Sequence, residues 1–106
     1  MKHYNKLVRD SVPGMLRGNG HQVDTRTIQG DELLAALRAK IDEEVAEYDA
    51  ATDDERAAAE LADLIEVIVA LAKRRGYDEA KLNELRAQKA SQRGTFDRGL
   101  FLESVE

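Results

Sequence analysis

The chain has 106 residues, a formal net charge of −5 and no cysteine. That charge argues against a general nucleic-acid binder, which needs a basic footprint, and the missing cysteine excludes disulfides, zinc–thiolate sites and thiol catalysis. With 35% charged and 5% aromatic residues, the composition suits one small helical domain, residues 1–106, with long polar faces.

The N-terminus, Met1-Lys2-His3-Tyr4-Asn5-Lys6, lacks the apolar stretch of a secretory leader. A cytoplasmic protein is therefore expected. Gly14, Gly18, Gly20 and Gly30 cluster with the single proline, Pro13, which argues against long regular structure in the first thirty residues. Residues 21–28 alternate weakly and predict a short strand. Asp31 then reads as the N-cap of a helix over 33–51. Its apolar positions Leu33, Leu34, Leu37, Ile41, Val45 and Tyr48 step by threes and fours, the stripe of an amphipathic helix.

Thr52 with Glu55 three residues on matches a capping box, opening a second helix over 55–74. That helix closes on Lys73, Arg74 and Arg75 ahead of Gly76, as the macrodipole and a left-handed cap favour. A third helix runs from near Asp78, through Leu82 and Leu85, to Gly94. The tail, with Leu100, Leu102 and Val105, is expected to pair with the 21–28 strand as a minimal two-stranded sheet at the periphery.

The second helix is apolar over 61–72 except at Asp63 and Glu66. That run is too short to span a bilayer, so no membrane is expected. It is nevertheless apolar most of the way round, and such a helix is usually covered on several sides. The expected fold is all-α: a helical bundle completed by a symmetric homodimer or higher homo-oligomer.

Four acids stand out within these two helices. Glu44 and Glu47 lie three apart on the first, Glu60 and Asp63 three apart on the second. Residues three apart share a helix face, and the short break between the helices makes them antiparallel neighbours. Four converging carboxylates repel, and cannot all stay ionised without a counter-charge. The bland reading is a solvated acidic face. Asp63 weighs against it, because it interrupts an apolar stretch where an unpaired carboxylate is costly to bury. All-oxygen ligation points to Mg²⁺, with Mn²⁺ as a substitute. No Glu-x-x-His pair occurs, which disfavours a di-iron centre of the ferritin type.

The run Glu43-Glu44-Val45-Ala46-Glu47, followed after twelve residues by Glu60-Leu61-Ala62-Asp63, resembles the EExxE…ExxD signature of the MazG-like all-α nucleoside triphosphate pyrophosphatases. Tyr4-Asn5-Lys6-Leu7-Val8-Arg9-Asp10 and Lys89-Ala90-Ser91-Gln92-Arg93-Gly94-Thr95-Phe96 are similar to segments of a short, phosphoribosyl-ATP pyrophosphohydrolase-like branch. Together these cover nearly the whole chain, with residues 16–30 least matched. Two departures touch the phosphate side: Ser11-Val12-Pro13 stands where Lys-Ile-Pro is more usual, and Thr95 replaces a second glycine.

The resemblance implies hydrolysis of nucleoside triphosphates between the α- and β-phosphates, with Glu44, Glu47, Glu60 and Asp63 holding Mg²⁺. Glu43 is the candidate to orient or deprotonate the attacking water. Lys6, Arg9, Lys89, Arg93 and Arg98 are the candidate phosphate-binding cations, with Asp10 available to orient Arg9. Lys40 reads as an i,i+4 partner of Glu44, and His3 and His21 as surface residues. Phe96 and Tyr48 read as core before base-stacking groups. Two other functions stay open: phosphoribosyl-ATP hydrolysis in histidine biosynthesis, and a catalytically silent regulator that binds nucleotide or protein.

Overall fold

A computed structural model describes residues 2–106. It is all-helical: α1 (Val12–Gly18), α2 (Gly30–Ala50), α3 (Asp54–Arg74) and α4 (Glu79–Arg93). The chain divides into two compact units, Met1–Leu71 and Ala72–Glu106. No helix among the described residues is long and apolar enough to cross a membrane.

The first unit is built on α2 and α3, joined by only three residues, so they return as an antiparallel hairpin. Their ends are set by caps one or two residues from where the sequence puts them. The N-cap of α2 is Gln29, without a side-chain cap, and Asp31 lies inside the first turn beside Glu32. There the two carboxylates complement the helix dipole instead of capping it. At the start of α3 the side chain of Asp53 accepts a hydrogen bond from the Arg56 amide at 2.8 Å. Asp53, not Thr52, is the cap, since its carboxylate reaches the third amide just as well.

A short helix, α1, occupies a stretch whose glycines and proline argue for irregular structure. Pro13 sits in its first turn, where no backbone donor is needed and a fixed φ is already helical. The helix closes where the His21 amide donates to the Leu16 carbonyl at 3.1 Å, around Gly20 at φ +90°. The expected peripheral sheet is absent: no strand occurs among the described residues. Residues 21–28 are instead tied back to α1, through Arg17 donating to the Val23 carbonyl at 3.0 Å. In the tail the Gly99 amide donates to Phe96 O at 3.1 Å, making a turn. Two short strands alone gain too little to displace such local bonds.

The apolar core of the first unit is thin. Leu37, Val67 and Val69 are its buried hydrophobic residues, while Val45, Tyr48, Leu61, Ile65 and Ile68 remain exposed. Leu61, Ile65 and Ile68 recur at helical spacing, so they form one apolar stripe on α3.

The second unit carries the last turn of α3 and all of α4. The Tyr77 amide donates to the Ala72 carbonyl at 3.0 Å around Gly76 at φ +83°, a left-handed cap as the sequence predicts. Asp78 caps α4, accepting from the Lys81 amide at 2.8 Å, and Gly94 ends it. Beyond Gly94 the chain has no regular structure, and Phe96, Leu100, Phe101, Leu102 and Val105 are exposed.

Candidate metal centre

The α2–α3 hairpin brings together three of the four expected ligands. One carboxylate oxygen from each of Glu44, Glu47 and Glu60 lies within 4.8 Å of the others. Two helical facts produce this. Glu44 and Glu47 are three apart on α2 and share a face, and the three-residue connection folds Glu60 of α3 back over them. Glu44 is the buried member, with 4% of its surface exposed.

Neither Glu44 Oε2 nor Glu60 Oε2 has a hydrogen-bond partner, although both atoms are shielded from solvent. An ionised carboxylate can only accept, so the neighbouring carboxylates cannot satisfy these oxygens. A proton, a cation or an ordered water would. Crowding by Glu47 first, then by Glu44, together with burial, pushes the Glu60 carboxyl up to about 7. Glu60 therefore keeps its proton to near neutrality when nothing else offsets the charge of its neighbours. A hard divalent cation fits the same donor set.

The surrounding acids are satisfied. Glu43 accepts from Lys6 at 2.9 Å and from Lys40 at 3.1 Å. The Lys6 hydrogen bond, the larger influence, holds the Glu43 carboxyl below its ordinary range. The same contact raises the Lys6 ammonium. Lys40 also approaches Glu44 Oε1 at 3.5 Å, the i,i+4 pair its spacing predicts. That leaves the other oxygen of Glu44 as the one without a donor.

Asp63, the fourth expected ligand, stands apart from the trio. Its Oδ1 accepts from Arg9 Nη2 at 2.6 Å. The sequence offered Asp10 as the partner of Arg9; the fold supplies Asp63, 54 residues away. Tyr4 is a further neighbour that the sequence did not single out. Its exposed ring lies under Lys2 Nζ at 5.0 Å and Lys6 Nζ at 5.8 Å, within cation–π range.

Lys89, Arg93 and Arg98 belong to the second unit, where all three are exposed. None makes a salt bridge to a described residue. Residues 93–100, which include Arg93 and Arg98, line an open concavity of about 550 Å³. Phe96 projects freely from it, 99% exposed, so the expectation that this ring packs in a core does not hold.

No known family model matches the chain, and no solved structure matches it. A stretch of 46 residues is 52% identical to an uncharacterized protein of Mycolicibacterium smegmatis. The match covers 43% of this chain and 47% of that protein, so the chain spans about half the length of this relative.

Proposed function

We propose that this chain is a MazG-like pyrophosphohydrolase that uses Mg²⁺ to split nucleoside triphosphates between the α- and β-phosphates. The products are a monophosphate and pyrophosphate, and the role is removal of non-standard or excess nucleotides. One observation carries the reading: carboxylates from two helices converge with inner oxygens that lack donors. A solvated acidic face would turn those oxygens to water. The motif resemblance at Glu43–Glu47, Glu60 and Asp63 supports the same assignment.

Glu44, Glu47 and Glu60 are the residues that would hold the ion, with Asp63 beside them. A divalent cation there supplies charge neutralisation of the phosphates and a more acidic water. In the reaction the water oxygen bonds to one phosphorus as the bridging P–O bond breaks. The water proton passes to a carboxylate, and the negative charge leaves on pyrophosphate. Glu43 is the candidate to orient that water. Its two lysine partners reduce its proton affinity, which favours orienting over proton abstraction. Lys6 and Arg9 place two cations at the edge of the acidic cluster, where they can meet phosphate oxygens. Lys89, Arg93 and Arg98 are the further candidates from the second unit.

The proposal includes a dimer. Leu61, Ile65 and Ile68 on α3, with Val45 and Tyr48 on α2, are exposed in one chain. A second copy packing its own stripe against them would complete a four-helix bundle. Sedimentation equilibrium at micromolar concentration is expected to give twice the chain mass, and Ile65→Asp is expected to give a monomer.

The direct test of function is a panel of nucleoside triphosphates with Mg²⁺, scored by pyrophosphate released. Release that stops on adding EDTA supports the proposal. Nucleotide binding without any release would favour the silent regulator.

A further inference from the structure

The four-acid pattern is symmetric in sequence but not in structure, and the difference lies in one side chain. Glu44, Glu47 and Glu60 share a volume with buried, donorless oxygens at Glu44 and Glu60. Asp63 sits one helical turn beyond Glu60, yet its Oδ1 is held at 2.6 Å by Arg9. Resting on the metal-site reading above, we propose that Arg9 is a positioning residue that holds Asp63 out of the cation site. When Arg9 transfers to a phosphate oxygen, it releases Asp63 to join the other three acids.

The chemistry makes the exchange a fair one. A guanidinium binds carboxylate and phosphate oxygens through the same forked donors, so it loses no hydrogen bonds by changing partners. The pair is also weak enough to break. Both side chains are about half exposed, at 55% and 42%. A surface pair of that kind shifts an equilibrium by no more than about fivefold. Arg9 lies in the irregular segment preceding α1 with its carbonyl accepting from the Val12 amide at 3.0 Å, so the exchange is made by its side chain alone. The backbone of Asp63 is held within α3, so its side chain alone turns toward the trio. By this route the protein with cation alone uses three acids, and the protein with cation and phosphate uses four.

The test is a double-mutant cycle on MnCl₂ binding alone, by calorimetry on the full chain. Arg9→Ala is expected to tighten Mn²⁺ about three- to fivefold, because Asp63 no longer has a competing partner. In the Asp63→Asn background the same Arg9→Ala change is expected to alter the affinity less than about twofold. An equal gain in both backgrounds would mean that Arg9 acts only through its general positive field, and would overturn the proposal. So would an Arg9→Ala variant with wild-type affinity. Failure of the wild type and of Arg9→Ala to bind Mn²⁺ at all would instead remove the metal-site reading on which it rests. Both side chains are half exposed, so folding should survive; Arg9→Gln, which keeps the side-chain length, repeats the measurement if Arg9→Ala does not.

Discussion

Two sets of acids on the same pair of helices meet opposite fates. Glu43 and Asp63 are each matched by a cation from the N-terminal segment, Lys6 and Arg9. Glu44, Glu47 and Glu60, only residues away, face one another, and two of their oxygens have no donor. Charge count does not separate the groups, since all five are single carboxylates. Satisfaction does. Glu43 and Asp63 are settled in the resting protein, whereas the trio has only Lys40, 3.5 Å from Glu44 Oε1, and its inner oxygens at Glu44 and Glu60 have no donor.

The sharpest way to break this comparison is to neutralise one member of the unsatisfied set. Glu47→Gln is expected to lower pyrophosphate release by about 100-fold or more, the scale of losing one transition-state charge contact. Its circular dichroism should match the wild type, because Glu47 is exposed. Activity within a factor of two of wild type would place Glu47 among the ordinary surface acids.

Next in size is pH. With the Glu60 carboxyl at about 7, protons would compete with a cation for the proposed site. Mg²⁺ affinity is then expected to fall about tenfold per pH unit below 7, measured by calorimetry. The sign for metal-free stability follows from the same group. Its folded value lies above its ordinary 4.5, so the native chain binds a proton that the unfolded chain releases. The contribution of Glu60 to metal-free stability should be full below about 4.5 and be lost as the pH rises through about 7. Glu43 works in the opposite sense, since its folded value is depressed. Its contribution is present above 4.5 and is lost as the pH falls further. Denaturant melts across pH 4 to 8, with EDTA, check both arms.

Smaller still is Lys89→Ala, expected to raise KM for the nucleotide about fivefold while leaving Mn²⁺ affinity unchanged. Unchanged kinetics would return Lys89 to the solvated surface of the second unit. The smallest effect concerns Glu44. In EDTA, Glu44→Gln replaces a buried charge with a neutral amide of the same shape and is expected to stabilise the fold by about 1 kcal/mol. That corresponds to a Tm rise of a few degrees in differential scanning calorimetry. With Mg²⁺ the order should reverse, because the wild type alone gains from the ion.

Much of this arrangement was legible in the residues. The 3.6-residue stripe from Leu33 to Tyr48 gave α2, and Lys73, Arg74 and Gly76 marked the end of α3. The three-residue spacings placed Glu44, Glu47 and Glu60 on facing surfaces, because helix geometry alone decides that. Lys40 was found through its spacing to Glu44. What escaped has a common cause. The short helix at Pro13 was masked because proline reads as a breaker, although in a first turn it is compatible with helix. The two-stranded sheet failed because weak alternation over 21–28 lost to a single Arg17 bond and a local turn at Phe96. The Arg9–Asp63 pair joins residues 54 apart in sequence, and no local spacing carries that information. Thr52 lost the cap to Asp53 because two adjacent residues were both competent, and the sequence does not rank them.

Glu44, Glu47 and Glu60 are proposed to form a cation site and not an acidic surface. Crystals soaked in Mn²⁺ and measured at the manganese edge test it most directly. An anomalous peak bounded by carboxylate oxygens of all three residues is expected. Well-ordered side chains with no peak between them, at millimolar Mn²⁺, would contradict it.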